Sequence, residues 1–314
     1  MHLIRQYEFG GPETLVFETA DDLTPAAGQV RIAVGAAGVH LIDTYIRRGE
    51  QMGSLPLPEL PMTPGREVAG TVDAVGPGVS NEWLGLPVVV HLGQASGGYA
   101  SQAVANVDDL FRLTHERFDE AVVMVGTGRT ALGVLEVANL TADDVVLVTS
   151  AAGGLGILLG QAAHNAGASV IAAAGGLHKL AGIDAEVKVD YRQPGWANGL
   201  EPTVVLDGVG GAVGREALEA LGVGGRIVIF GWSSGTPTEF TNTDVLRKGL
   251  SISGLGPRLI HRPGKLRELA AQSLAEHAAG RFAPVVQRFP LAEAAACHRA
   301  IETRSTVGKT VLVP

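Results

Sequence analysis

Residues 149–156 read TSAAGGLG, and this short run constrains the fold more than any other part of the chain. It follows the apolar strand candidate DVVLVTS and precedes the helix-like stretch GILLGQAAHNAG. In the fingerprint G-x-G-x-x-G, Ala151 takes the first position, Gly153 the second and Gly156 the third. The second glycine lets a pyrophosphate approach the backbone, and the third lets the helix pack closely on the strand. The context predicts a dinucleotide site with phosphate at the helix N-terminus, and a merely tight turn is the alternative.

The pattern of predicted secondary structure changes at about residue 119. Before it, short β-rich runs broken by turn signals predict a compact antiparallel domain. After it, short apolar strands alternate with helical stretches, which predicts a parallel sheet covered on both faces. The last 50 residues hold a helical stretch and a terminal strand, GKTVLVP, which either rejoin the first domain or form a separate cap. The fold class is therefore α/β with a second, β-rich domain.

Composition favours a small-molecule partner. The 314 residues are 46% hydrophobic, which is enough for packed cores, and the net charge of −8 gives no general attraction to nucleic acid. The N-terminus lacks the pattern of a signal peptide and no long apolar run suggests a membrane span, so we expect a cytoplasmic protein. The single cysteine, Cys297, excludes an internal disulfide, and its alanine-rich surroundings favour an inert buried thiol over a nucleophile.

The strand after the glycines indicates which nucleotide is bound. NAD sites usually place a carboxylate about 20 residues beyond the glycines, whereas NADP sites use cations for the 2′-phosphate. Counting from Gly153 leads to Ala173 in IAAAGGLHK, where no carboxylate stands nearby and Lys179 does. This predicts NADPH rather than NADH, although Lys179 could equally be a solvated surface lysine.

Several stretches together resemble the zinc-free quinone oxidoreductases, the zeta-crystallin-like branch of the medium-chain dehydrogenase/reductase superfamily. They run in order along the chain: YEFGGPETL, AAGVHLIDTYIRRGE, PGREVAGTVDAVGPGV, SAAGGLG, VVLDGVGG, GRIVIFG and GKTVLVP. The resemblance implies a GroES-like catalytic domain over 1–118 and 259–314, a Rossmann domain over 119–258, and an active site in the cleft between them. It also implies a homodimer paired through LSISGLG, unless that strand is an edge covered within the monomer.

The resemblance also bears on metal. Zinc-dependent relatives present Cys in the segment that matches GVHLIDTY and His at the position of Arg66 in Gly65-Arg66-Glu67. Here the first segment has no cysteine, and arginine cannot be deprotonated to serve as a ligand. We therefore predict catalysis without zinc, with Arg66 forming an ion pair or a local cap.

Carried over residue by residue, the resemblance assigns the 2′-phosphate to Lys179, to Tyr191 in VDYRQ and to Arg304 in ETRSTVGK. Thr127 matches a threonine near the nicotinamide end, and its alternative role is a helix cap. The predicted cofactor contacts are Thr127, Ala152, Gly153, Gly154, Leu155, Gly156, Lys179, Tyr191, Gly231, Trp232, Leu255 and Arg304.

Two departures from the family pattern concern the substrate. His40 stands where the family has asparagine, and it acts either as a donor or proton source or only in packing. Arg129 replaces an aromatic residue, and it binds an anionic group of the substrate or cofactor or lies in solvent. Tyr45 in IDTYIRRG is the leading candidate donor, and packing beside the cofactor is its alternative role.

The leading hypothesis is an enzyme that passes hydride from NADPH to a quinone or an α,β-unsaturated ketone. An enoyl-thioester reductase is a nearby alternative, with which Arg129 and Arg258 are compatible. A protein that holds NADPH without turnover is the rival from another class.

Overall fold

The computed structural model describes residues 1–51, 56–93, 96–256 and 262–314. The chain divides into two compact units, which are Met1–Gly126 with Val285–Pro314 and Thr127–Pro284. The strands of the described residues are, in chain order, β1 (His2–Gln6), β2 (Leu15–Thr19), β3 (Gln29–Gly38), β4 (Glu67–Val75), β5 (Pro87–His91), β6 (Gln102–Asn106), β7 (Phe111–Arg112), β8 (Val145–Val148), β9 (Ser169–Ala174), β10 (Val187–Asp190), β11 (Val204–Asp207), β12 (Arg226–Ile229), β13 (Ser251–Gly254), β14 (Val286–Pro290) and β15 (Lys309–Val313). The α-helices are α1 (Leu41–Arg48), α2 (Phe118–Val123), α3 (Arg129–Ala138), α4 (Gly154–Asn165), α5 (Gly211–Ala220), α6 (Asn242–Lys248), α7 (Lys265–Ala278) and α8 (Ala294–Glu302).

The first unit is built on a seven-stranded sheet in the order β14-β15-β3-β4-β5-β7, with β6 also paired to β3. Apart from the parallel pair β14 and β15, its neighbouring strands are antiparallel. Along most of β3, buried and more exposed residues alternate, which is the period of a strand with one face on a core. This sheet is the β-rich domain that the first 110 residues predict.

The second unit holds a six-stranded sheet in the order β10-β9-β8-β11-β12-β13, and all its neighbouring strands are parallel. The chain builds outward from β8 to β10 and then returns to place β11 on the other side of β8. All four residues of β11 are buried, as are three of the four in β8, as expected for strands covered on both faces. The predicted α/β fold class is confirmed, and the carboxyl edge between β8 and β11 is a topological switch point, where ligands bind in such sheets.

The unit boundaries differ from the predicted ones at 119 and 259. α2 stays with the first unit because a Cβ on Gly35 of β3 would overlap the Phe118 ring, and Arg288 forms an ion pair with Asp119. α7 stays with the second unit because Lys265 at its start lies 2.5 Å from Glu136 of α3. The chain therefore returns to the first unit at residue 285, and the predicted return at 259 falls in a segment outside the described residues.

One helical segment of the described residues, Phe118–Ala138, is long and apolar enough to cross a membrane by length and composition. The window that meets this test is 72% buried inside the protein, as is usual for a core helix of a globular protein. The segment therefore gives only weak evidence of a membrane span.

Candidate cofactor and active site

The glycine-rich turn joins β8 to α4 at the carboxyl edge of the parallel sheet. Gly153 is the N-cap of α4, and no described side chain caps this helix end. A Cβ on Gly156 would overlap the carbonyl oxygen of Ser150, so only glycine lets the turn and the helix pack this closely. A Cβ on Gly153 would meet the same oxygen at 3.4 Å, an ordinary contact, so packing within the chain does not require glycine there. The bare backbone at Gly153 leaves room for a ligand, and the N–H groups of the first helical turn suit phosphate.

The other predicted residues of this turn share its position at the switch point between β8 and β11. Ala152 is 5% exposed and directly precedes the N-cap. Gly154 and Leu155 open the first turn of α4. The five consecutive cofactor contacts predicted at 152–156 thus lie in one strand–turn–helix unit.

Lys179 and Tyr191 lie at the carboxyl ends of β9 and β10, which are adjacent parallel strands. Lys179 belongs to a short 3-10 helix, Leu177–Leu180, and is partly exposed. The Tyr191 ring lies against Gly175, where a Cβ would meet the ring and its hydroxyl at 3.2 Å. The structure therefore brings these two predicted 2′-phosphate residues to one corner of the sheet.

The loops after β12 and β13 hold the predicted nicotinamide-side residues. Ser233 donates its backbone N–H to Gly208 at 3.0 Å, which fixes the segment around Gly231 and Trp232 onto the loop after β11. Trp232 itself is 45% exposed. Leu255 follows β13 and donates its backbone N–H to Ile229 at 3.3 Å. These residues therefore stand at the carboxyl ends of β12 and β13.

Sequence reasoning missed Asp207, the buried residue that organises these loops. Its Oδ1 accepts from the Thr149 hydroxyl at 2.8 Å and from the backbone N–H of Val209 and Gly210, and its Oδ2 accepts from the Thr238 hydroxyl at 2.5 Å. A carboxylate directly after the apolar run of VVLDGVGG was the available signal, because such a charge needs several donors. Asp207 ties the glycine turn after β8 to the loop after β11.

Thr127 and Arg129 lie in and directly after a π-helical turn, Met124–Gly128, that continues from α2. Thr127 is buried at 7% exposure, and Gly128 rather than Thr127 precedes α3, so the alternative role of a helix cap is wrong. Arg129 is the first residue of α3 and is partly exposed. Single π-turns inside α-helices occur frequently at functional sites.

In the first unit, His40 is the N-cap of α1, and its ring contacts two buried charges. Its Nε2 lies 2.7 Å from Oε1 of Glu67 and 2.9 Å from Nζ of Lys309. Lys309 Nζ also lies 2.9 Å from the same Glu67 oxygen. The side chain of His40 is 24% exposed, whereas those of Glu67 and Lys309 are 0% and 6% exposed. His40 is therefore the most exposed member of this group of three.

The Glu67 carboxylate is enclosed by backbone on both sides. A Cβ on Gly38 or on Gly126 would overlap one of its oxygens, so both positions require glycine. Burial by itself would raise the pKa of Glu67, but the charges of His40 and Lys309 outweigh burial and hold this pKa below its ordinary value. The carboxylate stays ionised at neutral pH and holds Lys309 beside it.

Arg66 forms the expected ion pair, because its Nη2 lies 3.3 Å from Oδ1 of Asp43. Oδ2 of Asp43 accepts from the His40 backbone N–H at 2.8 Å and from the Tyr99 hydroxyl at 3.2 Å. Asp43 therefore holds the backbone of His40, while Glu67 and Lys309 hold its ring.

Tyr45 is partly exposed on α1, and the Arg48 guanidinium stacks over its ring at 4.6 Å. Arg304 follows the C-cap of α8 in the left-handed region, with φ of 55°. Glycine is the usual residue there, because a Cβ is strained in this conformation.

Cys297 is buried, and burial raises the pKa of its thiol to about 12. An unreactive thiol follows, as the sequence predicts. Among the residues that the structure describes, no group of three or more His, Cys, Asp or Glu side chains is arranged to hold a metal ion.

The predicted residues fall into two sets. His40, Tyr45 and Arg304 belong to the first unit, and all the other predicted site residues belong to the second. Within the second unit, the glycine turn, the corner with Lys179 and Tyr191, and the loops with Trp232 and Leu255 all lie at the carboxyl edge of one sheet.

Comparisons with known families agree with both units. Residues 26–149 match the alcohol dehydrogenase GroES-like domain, and residues 182–312 match a family described as zinc-binding dehydrogenase. The chain is 32% identical to a quinone oxidoreductase of Sus scrofa, with 100% of this chain and 98% of that protein covered.

Solved structures match over the whole chain. A mycobacterial protein complexed with NADPH is 30% identical and superposes with a TM-score of 0.83, with both chains covered completely. The Escherichia coli quinone oxidoreductase complexed with NADPH is 28% identical, with a TM-score of 0.82 and complete coverage of both chains. The chain is thus an oxidoreductase that belongs to the quinone oxidoreductase family of the medium-chain dehydrogenase/reductase superfamily.

Proposed function

We propose that this protein is an NADPH-dependent reductase that transfers hydride to a quinone or an α,β-unsaturated ketone without a metal ion. The observation that carries the proposal is the carboxyl edge of the parallel sheet, where the glycine turn at Gly153 is followed by Lys179 and Tyr191 at the ends of the next two strands. The two relatives complexed with NADPH support the same cofactor.

The residues present fit this cofactor. The turn at Gly153 and the uncapped start of α4 suit the pyrophosphate. Lys179, Tyr191 and Arg304 would bind the 2′-phosphate, and the backbone near Gly231 and Leu255 would border the nicotinamide. When bound, NADPH supplies the hydride, and the protein supplies orientation and electrostatics.

Quinones and α,β-unsaturated ketones share a conjugated carbonyl. Reduction leaves negative charge on the carbonyl oxygen, and a donor of the protein must stabilise that charge. Tyr45 and His40 are the proposed donors, and the exposed fraction of the His40 ring is consistent with this role. Lys309 and Glu67 would hold the orientation of the His40 ring, because both contact its Nε2.

The proposal that hydride transfer needs no metal ion is supported by the ion pairs of Arg66 and Glu67. Arg66 stands where zinc-dependent relatives carry a ligand, and it is bound to Asp43 instead. Glu67 beside it is paired with Lys309, whose ammonium supplies a fixed positive charge in this region. A divalent cation would have to displace one or both of these paired cations.

A panel of acceptors tests the function. We expect steady oxidation of NADPH with simple quinones or enones, slower turnover with NADH, and undiminished activity after treatment with a chelator, with no stoichiometric zinc in the purified protein. Steady turnover only with enoyl thioesters would favour that alternative, for which Arg129 is compatible and Arg258 lies outside the described residues. NADPH could instead protect the protein against thermal unfolding while no acceptor causes its oxidation. That result would indicate a protein that only binds NADPH and would contradict the proposed enzyme.

We also propose that the protein forms a homodimer through β13, which is the last strand on one side of the parallel sheet among the described residues. An edge strand presents unpaired N–H and C=O groups to a second copy. Sedimentation equilibrium is expected to return twice the chain mass of 32.4 kDa.

Replacing Arg304 by glycine is expected to stabilise the protein and at the same time to weaken the binding of NADPH. Glycine relieves the left-handed backbone, which we expect to raise the free energy of unfolding by about 0.5–1 kcal/mol. The loss of the guanidinium is expected to raise the Kd for NADPH about tenfold while leaving that for NADH within twofold. Urea unfolding and fluorescence titration measure the two effects.

Asn139→Gly is the matched control, since Asn139 is also left-handed, with φ of 48°, at the end of α3. It is expected to leave NADPH affinity unchanged. Equal losses of NADPH and NADH affinity in Arg304→Gly would contradict the assignment to the 2′-phosphate.

A further inference from the structure

Arg192 follows Tyr191 at the carboxyl end of β10, and the carboxylate of Asp190 holds its guanidinium. Nε lies 2.9 Å from Oδ1 of Asp190, and Nη2 lies 2.7 Å from Oδ2. The Arg192 backbone N–H also donates to Oδ1 at 3.0 Å. The side chain of Asp190 is 8% exposed, whereas that of Arg192 is 58% exposed. The pair therefore presents an oriented cation at the surface rather than a mobile one.

This guanidinium lies directly against the bare turn after β9. Gly176 has φ of 121°, and a Cβ on it would lie 2.9 Å from Nη2 of Arg192 and 2.6 Å from Cε1 of His178. The same turn continues into Lys179, whose backbone N–H donates to the Gly176 carbonyl at 3.1 Å. The Arg192 guanidinium and the His178 ring thus lie against Gly176, next to Gly175, which contacts the Tyr191 ring.

Asp190 uses only some of the N–H donors of the Arg192 guanidinium, and the others can bind a second anion. A guanidinium has five N–H donors, and Asp190 takes that of Nε and one of Nη2. The three that remain, on Nη1 and Nη2, match two oxygens of a phosphate in a way that the point charge of a lysine does not. The hydrogen bond from Arg192 also holds the pKa of Asp190 below its ordinary value, so this carboxylate stays ionised and bound to the arginine.

We propose that Arg192 is a specificity-determining residue that binds the 2′-phosphate of the adenosine ribose. This inference rests on the proposed use of NADPH and adds a residue that the predicted set of Lys179, Tyr191 and Arg304 does not contain. Asp190 does not bind the ribose hydroxyls as the carboxylate of an NAD site does, because both its oxygens accept hydrogen bonds from Arg192.

Binding of nucleotides without a nicotinamide tests the proposal apart from turnover. Calorimetric titration of the full chain with 2′,5′-ADP and with 5′-ADP measures the contribution of the 2′-phosphate directly, and NADPH and NADH are titrated in parallel. Arg192→Gln is expected to raise the Kd for 2′,5′-ADP and NADPH about tenfold, the value of one charge-assisted hydrogen-bonding contact, and to change that for 5′-ADP and NADH by less than twofold. Arg192→Lys is expected to give an intermediate loss, because it keeps the charge and removes the fork.

Arg281→Gln is the matched control. Arg281 is 52% exposed, pairs with Glu276, and belongs to the same unit, so its loss removes a similar surface ion pair without affecting the nucleotide. Thermal unfolding of each variant verifies that the exposed substitutions leave the fold intact.

The outcomes separate this inference from the proposed function. If the unsubstituted protein binds 2′,5′-ADP no better than 5′-ADP, the choice of NADPH itself fails. If it prefers 2′,5′-ADP and Arg192→Gln keeps that preference, NADPH stands and the role of Arg192 is overturned. An equal loss for all four nucleotides also overturns it, because it would indicate damage to the turn rather than loss of a phosphate contact.

Discussion

Lys309→Met is expected to lower the free energy of unfolding by about 3–5 kcal/mol, the usual cost of leaving a buried charge without its partner. The Glu67 carboxylate is fully buried, and the backbone at Gly38 and Gly126 leaves no space for it to move. With Lys309 absent, Glu67 would lose the ammonium that lies 2.9 Å from its Oε1. Urea unfolding at pH 7 measures the loss.

The pH dependence of this effect has a defined sign. Because the pKa of Glu67 is lowered in the folded protein, its ionised form contributes stability above the ordinary glutamate pKa of about 4.3, and this contribution is lost as pH falls. The difference between the unsubstituted protein and Lys309→Met should therefore be present at pH 7 and shrink in acid, as Glu67 becomes protonated.

Lys188→Met is the control, since it also removes a lysine ammonium, but from an exposed position on β10. Surface substitutions of this kind usually change stability by less than about 0.5 kcal/mol. Similar losses in the two variants would contradict a buried ion pair at Glu67. Combining Glu67→Gln with Lys309→Met should recover part of the loss, because it removes the charge that was left without a partner.

Gly156→Ala is expected to weaken NADPH binding at least tenfold and to destabilise the protein by about 1–3 kcal/mol. The added methyl group would overlap the Ser150 carbonyl, and relief requires the backbone of the turn to move away from α4. That movement displaces the N–H groups that would bind the pyrophosphate. Calorimetric titration with NADPH and urea unfolding measure the two effects.

Gly160→Ala makes the same change one turn further along α4. Its Cβ would meet only the Val170 Cγ1 atom, at 3.9 Å, so no backbone has to shift. Alanine is a better helix former than glycine by about 1 kcal/mol, and this variant should be as stable or more stable, with unchanged NADPH affinity. If both variants bind NADPH equally well, the close packing of the third glycine has no role in the site.

Much of the second unit is predictable because its signals are local. Short apolar runs such as VVLV and VVLD are typical of strands buried on both faces, and glycines between a strand and a helix indicate a close turn. Lys179 follows β9 and Tyr191 follows β10, and both therefore lie at one edge, since parallel strands end on the same side of a sheet.

The domain boundaries and Asp207 were harder to predict. The helix over 265–278 has no local feature that assigns it to either unit, and the contact of Lys265 with Glu136 decides this, across 129 positions. The sequence shows Asp207 only as a carboxylate at the end of an apolar run, and its donors Thr149 and Thr238 lie 58 and 31 positions away. The proposed role of Arg192 depends on how Asp190 orients its guanidinium, which the sequence does not show.

The sequence by itself determined the strand–turn–helix unit at Gly153 and the alternation of a parallel sheet, because hydrophobic period and glycine placement act over a few neighbouring residues. Only the tertiary structure decided that His40, Glu67 and Lys309 form one charged group, since His40 and Lys309 are 269 positions apart and meet through the pairing of β15 with β3. Such contacts depend on which strands become neighbours and in which register. A buried charge is then stable only where that pairing brings its partner within about 3 Å, as it does here.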